Sequence, residues 1–75
     1  MSILERNWAM EIVRTVEGYD LIYDSSIGKF KIVKTELSEI SMWFDSEIAE
    51  GFKKMNEEDF ISSAKEYIHQ ARYVD

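Results

Sequence analysis

Hydrophobic residues alternate with polar ones in the first half of the chain and recur at steps of three and four in the second. Met10 to Val16 is dense in β-branched residues, with Met10, Ile12 and Val16 set against Glu11 and Thr15, and this predicts a strand. In a second segment Tyr19, Leu21 and Tyr23 face one way, and in a third Phe30 and Ile32 alternate with Lys29 and Lys31. Glu17 and Gly18 make a two-residue connection in which the glycine supplies positive φ at little cost. Residues 24–28, from Asp24 through Ser25 and Ser26 to Gly28, have turn composition. The prediction is an antiparallel meander with one wet face, whose lysines also blunt an edge strand against aggregation. Ahead of it, Ser2 and Glu5 fit a capping box and Leu4, Trp8 and Ile12 lie four apart, so a short helical turn is expected near residues 3–8.

From Thr35 to Met55 the spacing changes. Leu37, Ile40, Phe44, Ile48, Phe52 and Met55 recur at helical steps, which predicts a long helix with one buried face. Thr35 would cap it, with Glu36 and Glu39 near its positive end and Lys53 and Lys54 near its negative end. At 100° per residue the core positions fall within about 60° of Leu37, while Glu36, Glu39, Trp43, Glu47 and Glu50 fall between about 200° and 280°. A rival reading makes Ile40 to Phe44 a fourth strand, because Ile40, Met42 and Phe44 also alternate, and Asp45 with Ser46 would then cap a shorter helix. The helical period persists longer than the alternation, which favours the long helix. Asn56 can end it and cap a second, whose apolar face is Phe60, Ile61, Ala64, Tyr67, Ile68 and Ala71. The expected fold class is α+β, a three-stranded antiparallel meander covered by two C-terminal helices, in a single domain spanning residues 1–75.

A chain of 75 residues buries only about 60% of its unfolded surface, so its ten aromatic side chains must supply much of the core. Absence of cysteine removes disulfides and thiolate metal sites and fits a reducing compartment. No secretory signal pattern and no apolar run near the length of a membrane span is present, so a soluble, cytoplasmic protein without membrane contact is expected. For catalysis the residues offer little. No Gly-x-Ser-x-Gly elbow surrounds Ser25 and Ser26 or Ser62 and Ser63, and the single histidine, His69, has no cluster of ligands beside it. Asp45 and Glu47 lack the calcium-loop alternation, and Gly18, Gly28 and Gly51 are too far apart to cradle a phosphate. The expectation is a binding protein with no catalytic residues, no metal and no cofactor.

Charge adds a position to that expectation. Residues 1–35 and 60–75 are each electrically balanced, so the whole net charge of −6 lies in residues 36–59. There Glu36, Glu39, Asp45, Glu47, Glu50, Glu57, Glu58 and Asp59 face only Lys53 and Lys54. Such a field repels nucleic acid and steers basic protein surfaces. The candidate partner-binding residues are therefore Glu36, Glu39, Trp43, Glu47 and Glu50. Trp43 itself has two readings: a ring folded over the sheet edge or the second helix, the commoner fate of tryptophan, and an exposed anchor among glutamates.

In element order, size and clustered acidity the chain resembles small phage-encoded anti-CRISPR proteins. The resemblance covers the whole chain and carries no residue-level motif. It implies an inhibitor from a phage or mobile element whose acidic side chains occupy the basic, nucleic-acid-binding site of a host protein. The alternative is a self-associating structural or regulatory domain, with Trp43, Met42 and the outer strand closing a homodimer.

Overall fold

The computed structural model describes residues 9–72. The helical turn expected near residues 3–8 lies outside them. Strands β1 (Met10–Val16), β2 (Tyr19–Asp24) and β3 (Lys29–Lys34) form the expected meander, and a fourth, β4 (Glu39–Ile40), extends it in the order β1-β2-β3-β4, all antiparallel. Helices α1 (Ser46–Lys54) and α2 (Glu57–Arg72) follow. The fold is α+β.

The first hairpin turns on Glu17 (φ 50°) and Gly18 (φ 81°), both left-handed as a two-residue connection requires. Lys34 donates to the Glu17 carbonyl at 2.6 Å and lies over the Tyr19 ring, closing that end of the sheet. At the second turn Asp24 accepts the Ser26 amide at 2.9 Å, and Gly28 (φ 67°) returns the chain into β3. In β2 and β3 the alternation behaves as expected, with Tyr19, Leu21, Phe30 and Ile32 buried.

β1 departs from simple alternation. Its register with β2 shifts between Ile12 and Arg14, so Val13 is an extra residue. A bulge of this kind turns the later residues to the other face. Met10 and Ile12 therefore stand on the outer side while Val16 is buried in the core, and the three do not share one face as their spacing predicts. Arg14 is turned inward too. It donates to the Phe52 and Met55 carbonyls at 2.8 and 2.6 Å, around the C-terminal end of α1, and stacks over Phe60.

The long helix over 35–55 does not form. Thr35–Leu37 is a single 3-10 turn, ended by Ser38 in the left-handed region, and Thr35 is its first residue rather than the cap of a long helix. The following segment pairs with β3: the Phe30 and Phe44 amides and carbonyls exchange bonds at 2.9 and 2.8 Å, and the Ser41 amide reaches the Ile32 carbonyl at 2.9 Å. The free edge of β3 decides the outcome. Its buried backbone groups need partners, and a helix over these residues would offer none. Leu37, Ile40 and Ile48, assigned to the core by their period, are exposed; only Phe44 and Phe52 of that stripe are fully buried, and Met55 is partly so. The shorter helix starts where the rival reading put it, with Asp45 at the N-cap position, although the Asp45 carboxylate bonds Lys29 instead of the helix.

α1 and α2 both pack on one face of the sheet. Between them and the strands runs a chain of rings in which Phe44 and Phe52 lie 5.4 Å apart, and Phe60 and Tyr67 each sit 5.4 Å from Phe52 edge-on. Asn56 caps α2 through the Asp59 amide at 2.7 Å, and Phe60, Ala64 and Ile68 form its buried stripe as the spacing predicts.

Candidate functional site

Because the segment before α1 is extended, the five residues expected to share a helix face are dispersed. Glu36 is exposed on the 3-10 turn beside Gly18. Glu39, on β4, is half-buried and pairs with Arg72 from α2. Glu47 lies in the first turn of α1, and Glu50, one turn on, bonds Lys53 at 2.8 Å. The Lys53 ammonium holds the Glu50 carboxyl below its ordinary pKa, through the hydrogen bond first and its charge second. Trp43 belongs to no helix. Its ring is 41% exposed on the outer side of the sheet, and its charged neighbour there is a cation, Lys31, with Nζ 4.6 Å from the ring centroid. A tryptophan framed by four carboxylates does not exist in the fold.

What remains of the acidic region is a set of separate, solvated carboxylates. Lys29, Lys53 and Arg72 neutralise Asp45, Glu50 and Glu39. Among the described residues, Glu36, Glu47, Glu57, Glu58 and Asp59 have no cation within salt-bridge distance. Four of these mark the starts of α1 and α2, where helix dipoles favour negative charge. They leave the helical side of the molecule negative.

Two clefts open on that same side. One, of about 200 Å³, is lined by Tyr19, Glu39, Lys65, Ile68, His69 and Arg72. The other, of about 480 Å³, lies among Glu11, Tyr23, Phe30, Ser46 and Lys53. Each contains a single carboxylate, so neither brings two acids to a shared point. Among the described residues no three His, Cys, Asp or Glu side chains are grouped to hold a metal, and no helix is long and apolar enough to cross a membrane.

Among the described residues, no helix packs on the opposite side of the sheet. Through the register, Ile12, Ile22, Val33 and Ile40 come to the same outer face, one from each strand, with Asp20 and Lys31 between them and Trp43 beside β4. Ile12 is 60% exposed and Ile40 52%, high values for isoleucines in a small protein. Sequence reasoning placed lysines on this face and missed its apolar content. The signal was present in Ile22 and Val33, which occupy the polar phase of their strands, and it was masked at Ile12 by the bulge. Comparison with protein-family models, with curated proteins and with solved structures gave no match.

Proposed function

We propose that this chain is a small acidic interaction module that acts by occupying a basic surface of a protein, such as the nucleic-acid-binding site of a host factor, and so inhibits it. The observation that carries this reading is the group of exposed carboxylates without counter-ions, Glu36, Glu47, Glu57, Glu58 and Asp59, on a chain of net charge −6. Carboxylates already held by Lys29, Lys53 or Arg72 have their field largely cancelled, whereas these five keep theirs and can steer a cationic partner. The same charge opposes direct binding to DNA or RNA.

The test is competition. Labelled DNA bound to DNA-binding proteins from the source cell is followed by fluorescence anisotropy while this protein is added, at low and at high salt. Displacement that weakens with salt is expected. The variant Glu47→Lys/Glu57→Lys/Glu58→Lys should lose it while still folding cooperatively, with a melting temperature lowered by several degrees because these carboxylates complement the helix starts, and Glu50→Gln, whose charge Lys53 already takes, should lose little. Displacement by the triple variant equal to wild type would refute the reading.

A further inference from the structure

We infer that the open outer face of the sheet is a self-complementary surface that receives a second copy of this chain. The register sets out that face in two rows. Ile12, Ile22 and Lys31 stand side by side in one; Thr15, Asp20, Val33 and Ile40 stand in the next. The four aliphatic residues thus run as a diagonal band across all four strands, with Lys31 on one flank and Asp20 on the other. With strands about 4.8 Å apart and same-face residues about 6.6 Å apart along a strand, Lys31 and Asp20 are separated by roughly 8 Å across the band.

This arrangement has a consequence for symmetry. A two-fold axis lying in the interface and running along the band superposes each aliphatic residue close to its own copy and places each Lys31 over the partner's Asp20. Both ion pairs form at once and no like charges meet. The strands of the two sheets then cross at roughly 50°, between the aligned and the orthogonal modes of sheet packing. Trp43 adds apolar surface beside the band and holds the Lys31 ammonium near the sheet.

Charge selects a second copy over a partner of one sign. On the outer face Lys31 stands against Asp20, Lys29 is already paired with Asp45 and Asp24 is buried under the Ser26 bonds, while Glu36, Glu47, Glu57, Glu58 and Asp59 lie elsewhere, at the 3-10 turn and the starts of the helices. Two copies can meet here without the repulsion that would oppose contact through their helical sides. A strongly basic or acidic partner gains nothing on this face. The inference does not depend on the acidic reading, and a dimer of this kind leaves both helical sides outward and free.

Sedimentation equilibrium of the full chain from micromolar to millimolar concentration tests it. Mass should rise from 8.9 kDa toward twice that value. Asp20→Lys alone and Lys31→Asp alone should each weaken association about tenfold or more by opposing like charges, and the doubly exchanged chain should regain it. In the unaltered protein the methyl signals of Ile12, Ile22, Val33 and Ile40 should shift with concentration in NMR spectra. A monomer at every concentration, as when another part of the same chain covers the face, overturns the inference. So does association with methyl shifts confined to the helices, or a folded double exchange that stays monomeric.

Discussion

At the scale of single residues, Asp24 shows how one carboxylate fixes a turn and ties stability to pH. It is only 7% exposed, and the Ser26 hydroxyl and amide both donate to it. The hydroxyl bond is the largest influence and holds the carboxyl below its ordinary value of 3.8; burial opposes it, and the Ser26 amide and Lys31 assist. With a depressed folded pKa, the native state binds fewer protons than the unfolded chain. The stabilisation is present above 3.8 and is lost as pH falls through the folded value. Ser26→Ala should therefore lower the melting temperature near neutrality by a few degrees, with the difference closing as pH falls from 3.8 through the depressed folded value. Thermal melts across that range check it; an equal deficit at both ends would assign the effect to packing alone.

At the scale of elements, the segment from Glu39 to Phe44 explains which parts of the fold were legible. β2, β3 and α2 were predictable because their periods are local: a strand with a buried face alternates, and a helix with a buried stripe repeats at three and four. Residues 37–44 satisfy both periods, since Ile40 and Phe44 are four apart and Ile40, Met42 and Phe44 are two apart. What separates the readings is the unpaired edge of β3, which is remote in sequence, and Ser41, whose role is invisible to any hydrophobic count. The Ser41 hydroxyl accepts the buried Ile32 amide at 2.8 Å and donates to the Met42 carbonyl, substituting for part of the strand ladder. With the helix went the candidate site, because Trp43 and the glutamates were joined only by helical geometry. The bulge at Val13 hid the outer face in a similar way, reversing the phase of β1 after Ile12. Ser41→Ala leaves the Ile32 amide without an acceptor, at a cost of about 1–3 kcal/mol. Urea titration should show the loss, and hydrogen exchange should place it at Ile32, with Leu21 in the adjoining ladder little changed.

At the scale of the whole molecule, a single core serves both the sheet and the helices, and Phe52 is its hub. The ring is 1% exposed and touches Phe44, Phe60 and Tyr67, so it joins the extended segment, α1 and α2 in one contact set. Its own carbonyl is held by Arg14 from β1, which couples the farthest strand to the end of α1. A domain of this length has a total stability of about 4–11 kcal/mol, and truncating a buried phenylalanine removes about 3–5 kcal/mol of it. Phe52→Ala should consequently bring the protein to the edge of unfolding at room temperature, while Phe52→Leu, which keeps most of the volume, should cost less. Because the extended segment, α1 and α2 all meet at this ring, far-UV and near-UV circular dichroism should report one coincident urea transition in both variants. If the helices instead unfolded ahead of the sheet, the sheet would have to hold together after losing the cover of its inner face. Four short strands would then need burial of their outer face to remain stable, and in this chain a neutral aliphatic band is available there. The coincidence of the two transitions thus measures how much of the stability resides between sheet and helices, and its dependence on protein concentration measures how much the outer face contributes.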